Sequence, residues 1–75
     1  GGQNGKAVPV QVFDTAGTKM GEFGYLRGCA DYIIDSVGQD YFSKITNKPR
    51  DYVADKISKS IKTNIPYLGY TFKVA

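Results

Sequence analysis

The order in which β-type and helical periodicities follow one another is the feature that most constrains this fold. Valines occupy every second position within residues 8–12, which is the period of a strand with one aliphatic face. The turn-forming stretch 14–18 follows, and residues 19–27 resume an extended pattern, so we expect a β-hairpin. Residues 67–74 alternate in the same way and predict a third strand.

Two stretches of helical periodicity lie between the hairpin and the last strand. In the first, six apolar residues fall within an arc of about 120° on a helical wheel, as a core-facing stripe does. They are Ala30, Ile33, Ile34, Val37, Tyr41 and Ile45. Phe42 lies off this stripe. Gly38 interrupts the helix at a cost of about 1 kcal/mol relative to alanine, so we expect a bend or a break there.

The second helix is predicted from about Pro49 to Thr63. Its buried line is Val53, Ile57 and Ile61, one residue in every four. Proline suits the first turn of a helix, and a further proline at position 66 prevents the helix from continuing.

The resulting order of strand, strand, helix, helix, strand predicts an α+β fold with two layers. We expect an antiparallel three-stranded sheet with both helices on one face. Residues 1–6 are glycine-rich and are interpreted as a flexible lead-in, and residues 7–75 as a single small domain, because 75 residues supply only one core. The other face of the sheet would then be exposed unless something covers it.

Composition excludes several kinds of site. The chain has no histidine, so serine–histidine and cysteine–histidine pairs and histidine-ligated metals are excluded. The single cysteine, Cys29, cannot form an internal disulfide, which favours a reducing compartment inside a cell or organelle. No apolar run approaches the roughly 20 residues that cross a bilayer. We therefore expect no enzyme activity, no metal, no cofactor and no membrane span.

The aromatic content points to a protein partner. Six tyrosines and four phenylalanines exceed the evident needs of a thin core, and tyrosine is enriched at interfaces. Because side chains alternate between the faces of a sheet, some rings on the strands must face outward. The leading hypothesis is a non-catalytic protein-binding module that uses Phe23, Tyr25, Tyr67 and Tyr70 together with a free strand edge. The alternative is that these rings fill the core and pair across strands.

Charge is unevenly distributed and suggests a second possibility. Residues 1–40 carry five acidic and three basic side chains, whereas residues 41–75 carry seven basic and two acidic ones. Four residues of the second helix could together form a nucleic-acid site. They are Tyr52, Lys56, Lys59 and Lys62. Against this, lysine-rich outer faces are common on helices that bind nothing, and the chain has only two arginines with which to read bases.

Two smaller features were considered as sites. Cys29 lies two residues after Arg27, at the expected start of the first helix. The N-terminus of a helix and a nearby guanidinium both favour the thiolate form, so Cys29 is a candidate covalent or redox site. The alternative is a small buried apolar residue. Asp31 and Asp35 share one helix face, but no third acidic group joins them to complete a metal site.

Two resemblances were noted. Residues 10–14, followed by Gly17 and residues 21–24, resemble one hairpin of an NHL-type propeller repeat, over about a fifth of the chain. Residues 10–14 with Gly17 are also similar to the small alpha chains of cryptophyte phycobiliproteins, which are short and basic. That family carries a bilin-bearing cysteine after the glycine, where this chain has Thr18. The second resemblance implies a further alternative, a small subunit of a light-harvesting assembly.

Overall fold

The computed structural model describes residues 8–75, and the lead-in predicted at residues 1–6 lies outside that range. The described elements are β1 (Val10–Phe13), β2 (Lys19–Phe23), α1 (Leu26–Val37), α2 (Gln39–Ser43), α3 (Pro49–Thr63) and β3 (Thr71–Val74). The strands form one antiparallel sheet in the order β2-β1-β3. The predicted α+β class and element order are confirmed, with α1 and the short α2 together occupying the place of the first predicted helix.

The first strand of the chain is the central strand of the sheet. Val12 of β1 lies opposite Gly21 of β2 and Phe72 of β3. Val10 and Val12 are fully buried under the helices, as their alternation predicts. Pro9 precedes β1, so its missing N–H removes no bond from the ladder, and its carbonyl accepts a hydrogen bond of 3.0 Å from the N–H of Ala75.

The core lies between the sheet and the helices α1 and α3. The buried apolar residues of the two helices are Cys29, Ala30, Ile33, Ile34, Val53, Ala54 and Ile57. At the surface, ion pairs from Arg27 to Asp51 (2.9 Å) and from Arg50 to Asp31 (3.1 Å) also connect α1 with α3. No helix within residues 8–75 is both long enough and apolar enough to cross a membrane.

The predicted apolar stripe is wrong beyond Ile34. Val37, Tyr41 and Ile45 are exposed, and Phe42, which was placed off the stripe, is fully buried. For Tyr41, Phe42 and Ile45 the reason is Gly38, whose φ of 112° and ψ of 133° end α1 outside the helical region of backbone conformation. Because α2 is rotated relative to a straight continuation of α1, Phe42 faces the core and Tyr41 does not.

The last strand starts later than its alternation predicts. Tyr67 and Tyr70 exchange two backbone hydrogen bonds of 2.9 Å across a tight turn. The two residues between them, Leu68 and Gly69, have φ values of 52° and 84°. Positive φ at both central positions is the geometry of a hairpin turn, so residues 68–70 precede β3 and do not belong to it.

Candidate interaction surfaces

The face of the sheet opposite the helices is mainly polar. According to the strand register, it carries Gln11, Phe13, Lys19, Glu22, Thr71 and Lys73. Glu22 accepts hydrogen bonds from Lys19 (2.9 Å) and Gln11 (3.1 Å), and Lys19 and Gln11 lower its pKa. The ammonium of Lys73 lies 5.5 Å from the centre of the Phe13 ring. Phe13 is therefore the single aromatic residue that the described strands place on this face.

Phe23 and Tyr25 lie where β2 ends and α1 begins. Phe23 is on the core side of the strand, half-buried, with its ring centre 5.2 Å from that of Tyr32. The second strand was predicted to continue to residue 27, but it ends at Phe23, and Tyr25 is the N-cap of α1. Tyr25 is 51% exposed, and its ring lies so close to Gly28 that a Cβ there would be 3.4 Å from it. Tyr25 thus presents an exposed ring that rests on the backbone.

Tyr67 and Tyr70 lie on the other side of β1, where the chain enters β3. Both are half-buried and pack against the core. Burial, with smaller contributions from the nearby phenols of Tyr52 and Tyr41, raises the pKa of Tyr67 to about 12. Since β2 and β3 flank the central strand, they are separated by about 10 Å. The structure therefore divides the four predicted binding residues into two pairs and does not gather them on one surface.

Both outer strands have one unpaired edge within the described part of the chain. β2 and β3 each pair with β1 alone, so their outer backbone N–H and C=O groups have no strand partner. On β2, the register shifts between Val12 and Phe13, which marks a bulge near Lys19. An unpaired edge is a template for a further strand.

The basic flank of α3 is smaller than the sequence predicts. Lys56 and Lys59 line a shallow concavity of about 260 Å³, and the ammonium of Lys56 lies 5.3 Å from the centre of the Tyr52 ring. Neither lysine forms an ion pair with any residue between 8 and 75. Lys62 instead lines a separate apolar groove that includes Leu26. The three lysines predicted to act together thus belong to two different surfaces.

Both arginines form ion pairs within the domain. Two nitrogens of Arg27 donate to one carboxylate oxygen of Asp51, at 3.2 and 2.9 Å, and Arg50 pairs with Asp31. Since the sequence contains no other arginine, neither guanidinium is free to read a base edge without breaking a contact between α1 and α3.

Cys29 is placed as a core residue. It is fully buried, and burial raises the pKa of its thiol to about 11. The neighbouring Arg27 points to Asp51 at the surface, so the expected thiolate is opposed by desolvation, and covalent or redox chemistry there requires the core to open. Thr18, the position compared with a bilin-bearing cysteine, is exposed in the hairpin turn. Within residues 8–75, no three cysteine, aspartate or glutamate side chains are grouped to hold a metal ion.

Comparison with models of known protein families, with curated proteins and with solved structures found no match for this chain.

Proposed function

We propose that this chain is a non-catalytic protein-binding module that adds a short extended segment of its partner to the outer edge of β2. The observations that carry the proposal are the unpaired edge of β2 and the exposed ring of Tyr25, two residues after that strand ends. Strand addition obtains affinity from main-chain hydrogen bonds and selectivity from alternate side chains.

The edge of β2 favours a short partner segment. The bulge interrupts regular pairing near Lys19, and the ion pair between Lys19 and Glu22 places charge along the strand. Bulges and charged side chains are features that keep edge strands from pairing indiscriminately. The regular part of the edge is Gly21–Phe23, so the partner needs only a few extended residues.

Tyr25 supplies the side-chain contact. Interface hot spots are often tyrosines, because the ring offers a large area and has few torsions to immobilise. Here the ring already rests over Gly28, and Phe23 lies 3.7 Å from a Cβ built at that glycine. Binding therefore requires little reordering of the ring, which preserves affinity.

The test is selection of extended peptides from a displayed random library, followed by titration of the best peptide into isotope-labelled protein. We expect the largest amide shifts within residues 21–25, and a loss of about tenfold or more in affinity for Tyr25→Ala. Tyr41→Ala is the matched control, because Tyr41 is 46% exposed and lies on α2. Peptides that bind Tyr25→Ala as well as the parent protein, with both variants folded by circular dichroism, would refute the proposal.

A second candidate function is nucleic-acid binding by the flank of α3. It is supported by Lys56 and Lys59, which share one flank and form no ion pair within the described residues. Contacts to phosphates release counterions, so affinity should fall with rising salt. Titration with single-stranded and duplex DNA at two salt concentrations tests this function, and absence of binding at low salt removes it.

A further inference from the structure

We propose that the concavity beside α3 holds one nucleotide unit of a single-stranded nucleic acid. The phosphate lies between Lys56 and Lys59, and the base lies against the wall formed by Ile65, Pro66 and Tyr67. This inference rests on the second candidate function, nucleic-acid binding, and names the form of nucleic acid and the mode of contact.

The wall of the concavity is fixed before any ligand arrives. Asn64 ends α3 in the left-handed conformation, with φ 58°, and its N–H donates to the carbonyl of Ser60 at 2.9 Å. The hydroxyl of Ser60 is buried and donates to the carbonyl of Ile65. These two bonds turn the chain back along the helix and hold the residues before Tyr67 beside the lysines. A preformed wall lowers the ordering cost of binding.

The charges at the rim suit a phosphate. Residues three apart on a helix have Cβ atoms about 5–6 Å apart, so both lysines can reach one phosphate group. Lys56 lies above the Tyr52 ring, and neither lysine forms an ion pair with an acidic residue of the described chain. The phenol of Tyr67 is protonated at neutral pH, as that of an ordinary tyrosine is, so the hydroxyl can donate a hydrogen bond to an anion.

The apolar wall distinguishes a nucleotide from other anions. An acidic peptide would satisfy the lysines through its carboxylates and leave the wall uncovered, whereas a nucleotide brings a flat base and a phosphate together. A base within a duplex is stacked and paired, so it cannot enter a concavity of about 260 Å³ without being unstacked. The site therefore favours a single strand, and the lack of a free arginine predicts little sequence preference.

The experiment measures binding of a fluorescein-labelled single strand of about 12 thymidylates, and of a duplex of the same length, by fluorescence anisotropy at several salt concentrations. One neutralised phosphate predicts a slope of log affinity against log salt of about −0.7, the value per phosphate for a single strand. The double variant Lys56→Gln/Lys59→Gln should lose at least tenfold in affinity for the single strand. The control Lys44→Gln/Lys48→Gln removes the same charge from the segment between α2 and α3 and should lose less than threefold.

Replacement of Tyr67 tests the stacking contact. Tyr67→Leu should lower single-strand affinity by about fivefold or more, as expected when a base loses its aromatic neighbour, and Tyr67→Phe should restore most of it. Thermal melting verifies that both variants are folded, which is necessary because Tyr67 packs against the core.

Each outcome decides the inference. Equal loss from both lysine pairs, equal or tighter binding of the duplex, or no effect of a folded Tyr67→Leu overturns the nucleotide site but leaves the nucleic-acid function standing. Failure of the parent protein to bind either probe at low salt overturns both.

Discussion

Gly38 is predicted to be the residue at which a single methyl group has the largest purely backbone effect. Its φ of 112° and ψ of 133° lie in a region that residues with a side chain rarely occupy. A Cβ built there has no atom within 4 Å, so Gly38→Ala creates no clash. The cost is therefore backbone strain, about 1–3 kcal/mol.

Fusion of α1 and α2 into one continuous helix would not relieve the backbone strain of Gly38→Ala at a lower free energy. Alanine in a continuous helix would gain about 1 kcal/mol relative to glycine. The fused helix would, however, turn Phe42 out of the core, and loss of a buried phenylalanine costs about 3–5 kcal/mol. The broken geometry thus remains the lower in free energy, and the variant carries the strain.

Urea unfolding followed by circular dichroism measures this effect against Gly24→Ala. Gly24 also has no atom within 4 Å of a built Cβ, and its φ lies outside the positive region. At about 0.05–0.15 kcal/mol per residue, a chain of 75 residues has a stability of about 4–11 kcal/mol. We expect Gly38→Ala to lose about 1–3 kcal/mol and Gly24→Ala to change by less than about 0.5 kcal/mol or to gain slightly. Equal stability of the two variants would refute the argument.

Three further outcomes follow from burial and titration. Phe42→Ala should cost about 3–5 kcal/mol in urea unfolding and Tyr41→Ala less than about 1 kcal/mol, and the reverse order would mean that the helix is continuous. Cys29 should resist a thiol reagent such as Ellman's at neutral pH and react once urea unfolds the domain, so rapid labelling of the native protein would contradict its burial. The folded pKa values of Cys29 and Tyr67, about 11 and about 12, exceed the ordinary 9.0 and 10.0. The contribution of these two groups to the free energy of unfolding is fully present below about pH 9 and is lost as the pH rises through 11–12. The urea midpoint should therefore decrease as the pH rises to 11–12, and a midpoint that does not change with pH would contradict the two shifts.

Periodicity predicted the elements that regular backbone builds. The valine alternation correctly placed Val10 and Val12 of β1 inward, but Val8 precedes the strand and is exposed. The spacing of Val53 and Ile57 correctly placed the buried line of α3, of which the third predicted member, Ile61, is only partly buried. Both patterns are informative because, within a regular helix or strand, each residue is related to the one before it by the same rotation about the axis.

The failures come from single residues that change this rotation. Gly38 resets the helical phase, and Leu68 with Gly69 reverses the chain, so alternation across residues 67–74 joined a turn to a strand. Neither event alters the hydrophobic pattern, which is why a pattern summed over a window does not detect it.

The candidate surfaces were harder to predict, because they depend on which elements meet. Lys59 and Lys62 are three residues apart and close on a helical wheel, yet the packing of β1 and α1 assigns Lys62 to a different groove. Tyr25 was identified as an exposed ring, but its place at the start of α1 follows from the early end of β2. The sequence indicates only that Pro66 ends the helix, whereas the turn at Asn64 places Ile65 and Pro66 in the wall of the concavity.

The central position of β1 has a consequence for how the domain assembles. Its neighbour β2 follows within a few residues, whereas on its other side Val10 meets Val74, from the far end of the sequence. A hairpin closes quickly, but the second ladder must wait for a long loop to close. Until it does, the middle of the sheet is itself an open edge, and the partly folded chain is the form most exposed to pairing with another copy of itself.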